Sequence, residues 1–124
     1  VLINLVMETK TDEKMARLFA VFQNLRSRKD EEIPAQVIYC LLYIAAHNPC
    51  YKSDMERALG FSTASGSRNT DWLAEKHRLG TAGLGLITKT QCPDTNKRRV
   101  ILTLTKQGKQ FVNSIKNTLW QQKS

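Results

Sequence analysis

The sequence predicts a mainly α-helical domain with a small β-hairpin, arranged as a winged helix-turn-helix between two terminal helices. Apolar residues recur at helical spacing through most of the chain. Residues 99–105 instead alternate with the period of a strand, because Val100, Leu102 and Leu104 fall on one face. At 124 residues the chain has the length of one domain, and we expect a single domain over residues 1–124.

The two terminal helices are predicted over residues 12–29 and 106–122. The apolar stripe of the first consists of Met15, Leu18, Phe19, Phe22 and Leu25. The apolar face of the last consists of Phe111, Val112, Ile115 and Leu119. Such a stripe either packs on its own domain or is shared with a partner.

Two further helices are predicted between them. The first covers residues 33–48, and its broad apolar face makes it the central core helix. The second is expected to begin at Ser53, which suits an N-cap because a glutamate follows three residues later. Lys52 and Arg57 are expected to touch phosphates if this helix crosses a nucleic-acid backbone.

The helix predicted over residues 63–77 has two different faces. Ser62 suits its N-cap, since a serine hydroxyl can accept a backbone N–H of the first turn. The face expected to pack on another helix carries Gly66, Thr70, Leu73 and His77. The other face carries Thr63, Ser65, Ser67, Arg68 and Trp72. Short hydroxyls and one arginine suit a helix end in a major groove, although a serine-rich loop before an ordinary surface helix would have the same composition.

A basic hairpin is predicted over residues 88–105. Its first strand covers residues 84–90, its turn contains Pro93, and its return begins with Lys97-Arg98-Arg99. Seven basic and no acidic residues follow Asp94, so nearly all of the net charge of +8 lies in the last quarter of the chain. A basic hairpin after such a helix has the layout of a wing that contacts a DNA backbone or minor groove. The one-sided charge predicts a polyanionic partner, although it could also serve solubility.

Residues 60–108 resemble the winged-helix domain of the MarR (multiple antibiotic resistance regulator) family. The motifs that carry the resemblance are Leu59-Gly60-Phe61-Ser62, Ser65-Gly66-Ser67-Arg68-Asn69, Pro93-Asp94 through Arg98-Arg99, and Leu104-Thr105-Lys106-Gln107-Gly108. They match the turn before the recognition helix, the start of that helix, the wing and the start of the C-terminal helix. The long link at residues 77–86 looks like that of phage- and prophage-type members.

The resemblance implies a homodimeric transcription regulator of the repressor type that reads duplex DNA. The expected DNA contacts are Ser62, Thr63, Ser65, Ser67, Arg68, Asn69, Lys89, Lys97, Arg98 and Arg99. Asp94 is expected to pair with Arg98 or Arg99 and so to shape the wing. The expected dimerisation residues are Phe19, Phe22, Phe111, Ile115 and Leu119. Many family members bind a small-molecule effector, which this sequence does not identify.

Other classes of function have little support in the sequence. No serine-triad signature, carboxylate pair or phosphate-binding loop stands out, so we expect neither an enzyme nor a cofactor. Cys92 lies beside the basic wing, where its thiol could be acidified, so redox sensing stays open as an alternative. Three cysteines without paired spacing argue against a zinc site and against a disulfide framework. Without a membrane-spanning run or a signal peptide, we expect the protein in the cytoplasm, away from membranes. The main rival is a winged helix that binds a protein, such as a small phage factor that grips host machinery through the wing, Trp72 or Trp120.

Overall fold

The computed structural model describes residues 10–29, 32–75, 82–93 and 99–120. The helices are α1 (Glu13–Arg26), α2 (Ala35–Ala46), α3 (Lys52–Leu59), α4 (Thr63–Leu73) and α5 (Lys106–Leu119). The strands are β1 (Cys50–Tyr51), β2 (Ile87–Gln91) and β3 (Val100–Leu104). They form one antiparallel sheet in the order β1-β3-β2. The predicted fold, mainly helical with a small hairpin after a helix-turn-helix, is confirmed.

Side-chain caps begin three of the helices. Asp12 accepts from two backbone amides of the first turn of α1, Ser62 accepts from Ser65 N at 3.1 Å, and Thr105 accepts from Gly108 N at 2.9 Å. The predicted cap at Ser62 is therefore confirmed. The predicted cap at Ser53 is wrong, because the chain passes directly from β1 into α3 and makes Tyr51 the N-cap.

The sheet differs from the sequence-based expectation at both of its outer strands. β2 begins at Ile87 and not at residue 84, because the backbone before it pairs with the end of α4: Leu84 N donates to Trp72 O at 2.9 Å and Leu86 N to Leu73 O at 2.8 Å. β1 was not predicted from the sequence. It contains only two residues and exists because Cys50 pairs with Leu102 and the next residue with Ile101.

One core joins all the elements, and α2 lies at its centre as predicted. The side chains with less than 2% exposure come from α2, α3, α4, the sheet region and α5. They are Val37, Cys40, Leu41, Ile44, Met55, Thr70, Leu73, Leu86, Ile87, Leu102 and Phe111. The alternation of β3 is confirmed at Leu102 and Leu104, which are both buried. Burial of these apolar side chains supplies the main favourable term in folding.

The terminal helices α1 and α5 pack on each other. Arg17 Nη1 donates to Leu119 O at 3.2 Å, and Asn24 Nδ2 to Ser114 Oγ at 3.2 Å. The Arg28 guanidinium lies 4.2 Å above the centre of the Phe111 ring. Within the described ranges, no helix combines the length and the apolar composition needed to cross a bilayer.

Candidate nucleic-acid interface

A tight turn between α3 and α4 sets the position of α4. Gly60 has a φ of 72°, in the left-handed region that glycine adopts without steric cost. The next amide, Phe61 N, donates back to Glu56 O at 2.8 Å and closes the end of α3. The chain then enters α4 through the Ser62 cap. This is the helix-turn-helix predicted from the sequence, with α4 as its second helix.

The outer surface of α4 is small and polar at its N-terminal end. Ser62, Thr63 and Arg68 are exposed, while Ser65 and Ser67 are half-buried. Gly66, Thr70 and Leu73 face the core, as their spacing predicted. The exposed side therefore offers hydroxyls and one guanidinium, which are groups that can donate to phosphates or base edges.

Asn69 does not belong to that outer surface. Its side chain is buried, with 6% exposure, and its amide donates to Gln36 Oε1 at 3.1 Å and to Ser65 Oγ at 3.3 Å. Asn69 therefore ties α4 to the start of α2 and is unavailable to DNA in this conformation. The sequence motif that contains it does not show which way its side chain points.

Two lysines that were expected to contact DNA, Lys52 through phosphates, are also engaged within the chain. Lys52 is 7% exposed, and its ammonium lies 2.5 Å from Glu56 Oε2. The Lys89 ammonium lies 2.5 Å from Asp71 Oδ1, and about a quarter of each of these two side chains is exposed. Asp71 is the only acidic residue of α4. The single carboxylate of α4 and the single lysine of β2 are the signal that could have indicated this pair.

Arg99 stands where the wing meets α4. It is exposed, and its guanidinium carbon lies 4.8 Å from the centre of the Tyr51 ring, a cation–π geometry. Arg99 and Thr63 line the same recess of about 230 Å³, together with Lys52, Ser53, Glu56 and Val100. The structure therefore brings the base of the wing and the first turn of α4 onto one surface. The sequence did not indicate Tyr51 as a support for Arg99.

Part of the predicted site lies outside the described residues. This concerns Lys97, Arg98, the wing-shaping Asp94 and His77. The predicted extent of the helix over residues 63–77 is wrong, because α4 ends at Leu73 and Ala74 is already extended, with its carbonyl oxygen accepting from Gly85 N at 3.1 Å. The described part of the hairpin ends with Cys92 N donating to Arg99 O at 2.7 Å.

The predicted dimerisation residues fall into two groups. Phe19 and Phe22 are 65% and 42% exposed on α1, and Ile115 and Leu119 are half-buried on α5. Phe111, by contrast, is 1% exposed and packs in the core of its own chain. Phe111 is therefore not part of an exposed surface. The apolar face of α5 mainly packs the helix on its own domain.

Two of the three thiols, those of Cys40 and Cys50, are held in the protonated form. Burial, and secondarily the nearby Glu56 carboxylate, raises the pKa of Cys40 to about 12. Burial and the Asp54 carboxylate also raise the pKa of Cys50. A thiol must ionise to act as a nucleophile or a metal ligand, so both are poorly suited to either role at neutral pH. Among the residues that the structure describes, no three His, Cys, Asp or Glu side chains are grouped to hold a metal ion.

An open cleft lies where the end of α1 meets the start of α5. It has a volume of about 650 Å³ and is lined by Arg28, Lys106, Gln107, Gln110 and Phe111. Two cationic side chains and two amides give this cleft a polar, positively charged lining.

Comparison with known proteins supports the fold through structure and not through sequence. No protein-family model matches the chain, and no curated protein matches it either. A solved structure of reduced AbfR bound to DNA aligns with a TM-score of 0.60 and 21% identity, over 85% of this chain and 69% of that one. MarR aligns with a TM-score of 0.55 and 20% identity, over 84% and 73% of the two chains. RV1404 from Mycobacterium tuberculosis aligns with a TM-score of 0.55 and 22% identity, over 93% and 77%.

These similarities establish the fold. They do not establish the function, because the sequence identities are only about 20%. They do not support the narrower resemblance to phage- or prophage-type members. The chain has a MarR-like winged-helix fold and is structurally similar to regulators of the MarR family.

Proposed function

We propose that this protein is a DNA-binding transcription regulator, of the repressor type, that reads duplex DNA with α4 and the wing. The observation that carries the proposal is the shared surface of Thr63 and Arg99. A hydroxyl at the start of a helix-turn-helix second helix and an exposed arginine at the wing would meet the same stretch of duplex. The structural similarity to an AbfR that was solved bound to DNA adds support.

The proposed contacts follow from the exposed groups. Ser67 and Arg68 are assigned to base edges, because arginine can pair bidentately with guanine and serine can bond to several bases. Ser62, Thr63 and Ser65 are assigned to phosphates or bases near the first turn. The proposed wing contacts are Lys97, Arg98 and Arg99, with Asp94 shaping the wing. Lys89 and Asn69 leave the proposed contact set, because both are engaged within the chain.

We also propose that the DNA-binding form is a homodimer. Support comes from the outer face of α1, where Met15, Phe19 and Phe22 remain exposed although α1 packs on α5. Trp120, at the end of α5, is also 69% exposed. In a twofold dimer the two α4 helices would enter major grooves about 34 Å apart, roughly one turn of B-DNA.

The first test is the binding of random-sequence duplex DNA, measured by fluorescence anisotropy across a salt series. We expect the affinity to fall steeply with salt, with a slope of about −0.9 for each neutralised phosphate. Arg68→Ala and the Arg98→Ala/Arg99→Ala double variant should bind more weakly, the latter with a shallower slope. A Lys109→Ala/Lys116→Ala variant removes the same charge from exposed positions of α5 and serves as the control.

The rival function makes the opposite prediction. If the winged helix binds a protein partner, duplex binding should be absent at low salt or equally weak in all the variants. Exposed Trp120 would then be a natural contact. Absence of salt-dependent binding by the unmodified protein would refute the DNA proposal and direct the next experiment to partner capture.

The open cleft between α1 and α5 is our proposed position for an effector. Its lining by Arg28 and Lys106 favours a small anionic ligand. A small carboxylate that binds in this cleft should raise the melting temperature of the unmodified protein. It should have little effect on the melting temperature of a Lys106→Ala variant. Equal stabilisation of both proteins would exclude this cleft as the site.

A further inference from the structure

Two lysines from different elements lie within hydrogen-bond reach of the α4 backbone. Lys52 Nζ, from α3, lies 3.3 Å from the carbonyl oxygen of Thr63. Lys89 Nζ, from β2, lies 3.3 Å from the carbonyl oxygen of Ser67. The two carbonyls are four residues apart, which is about one helical turn. The two lysines therefore donate hydrogen bonds to successive turns of the same helix.

Each lysine is also neutralised by a carboxylate of its own. Lys52 pairs with Glu56, and these side chains are only 9% and 11% exposed. Lys89 pairs with Asp71 across the junction between β2 and α4, with 23% and 25% exposure. An ammonium that turned away towards a phosphate would leave a carboxylate partly or fully desolvated without its partner, which is costly.

We propose that Lys52 and Lys89 are positioning residues that orient α4 for DNA and do not themselves contact phosphates. Lys52 fixes the first turn of α4 on α3, and Lys89 fixes the following turn on the wing strand. The wing and α4 would then move as one unit when they meet the duplex. This inference rests on the proposed DNA-binding function.

A variant with unchanged net charge separates positioning from phosphate contact at Lys89. Lys89→Met/Asp71→Leu replaces the ion pair by two apolar side chains, and such replacements often preserve packing. If Lys89 has a positioning role, the double variant should bind DNA with the same salt slope as the unmodified protein. If Lys89 touched a phosphate, the slope would become shallower by about 0.9 for each protomer, because a counterion-releasing contact would be lost.

The single variant Lys89→Met supplies the complementary measurement. It should lower the affinity for duplex DNA about fivefold, a typical effect for a residue that couples two elements, and leave the salt slope unchanged. Lys109→Met, which removes one exposed charge from α5, controls for net charge. Lys89→Arg should restore the affinity, because a guanidinium can bond to both Asp71 and the Ser67 carbonyl. All binding is measured where circular dichroism shows each variant to be fully folded.

Thermal unfolding without DNA completes the experiment. Lys89→Met and Asp71→Leu should each lower the melting temperature, and the double variant should recover most of the loss. Additive losses, or a shallower slope in the charge-conserving double variant, would overturn the positioning role. If the unmodified protein does not bind DNA, the proposed function fails, while the unfolding data still decide whether Lys89 ties the wing strand to α4.

Discussion

Replacing Gly66 by alanine adds one Cβ atom where α4 packs on α3, and so tests how closely the two helices approach. A Cβ at this position would lie 2.0 Å from Glu56 Oε2 and 2.6 Å from Glu56 Cγ. Contacts this short cannot form, so the glutamate must move. At an exposed site a flexible carboxylate would simply swing away. Here Glu56 is held 2.5 Å from the Lys52 ammonium, and both side chains are about nine-tenths buried.

The expected cost follows from that buried pair. Breaking a buried ion pair by removing one partner costs roughly 3–5 kcal/mol, and displacement of Glu56 approaches this limit. Alanine gains about 1 kcal/mol over glycine inside a helix. We therefore expect Gly66→Ala to lower the free energy of unfolding by about 2–4 kcal/mol, which is a large share of the stability of a small domain.

The assay is urea unfolding at neutral pH, followed by circular dichroism. The same substitution is then made in a Lys52→Met/Glu56→Ala background, where neither the clashing atoms nor the buried charges remain. There Gly66→Ala should be neutral or stabilising by up to about 1 kcal/mol, so its destabilising effect should disappear or reverse. A loss below about 1 kcal/mol in the unmodified protein, or equal losses in both backgrounds, would refute the packing argument.

Three other substitutions or conditions probe separate parts of the molecule. The unmodified protein should sediment as the proposed homodimer at micromolar concentration and Phe19→Asp as a monomer, and a dimer that persists in the variant would place the interface elsewhere. Cys40 should resist thiol reagents at pH 8 in the folded protein, since it is buried and its pKa is raised to about 12. As pH rises from 9.0, the ordinary pKa of a thiol, towards 12, Cys40 ionises first in the unfolded chain, so the free energy of unfolding should fall. Labelling of Cys40 in the folded protein, or a free energy of unfolding that does not change over this pH range, would contradict this. Tyr51→Leu should weaken DNA binding about threefold by releasing Arg99, whereas Tyr51→Phe should retain the ring and the affinity.

Local patterns in the sequence were sufficient for the order of the five helices and of the β2–β3 hairpin. The N-cap at Ser62, the core-facing Gly66, Thr70 and Leu73, and the buried side of β3 all appear where their spacing placed them. These features depend on periodicity and on hydrogen bonds within a few residues. The strand β1 could not be predicted in this way, because two residues have no period and pair only when β3 lies beside them.

The candidate interface was predicted less completely than the fold. Arg68 and Thr63 are exposed on α4 as expected, whereas Asn69, Lys52 and Lys89 are engaged within the chain. All three are polar residues in or beside the expected DNA-reading segment. Their residue types are able to bind phosphates or bases. The sequence does not show that they instead pair within the chain, with Gln36, Glu56 and Asp71 respectively.

The sequence by itself determined the five helices, the hairpin of β2 and β3, the turn before α4 and the concentration of basic charge towards the C-terminus. Only the tertiary structure decided which polar side chains face outwards, and it placed Phe111 in the core instead of on a surface. The physical reason is that periodicity assigns a residue to a face of its own element. What covers that face, and which opposite charge or carbonyl lies within hydrogen-bond reach, depends on elements distant in the chain.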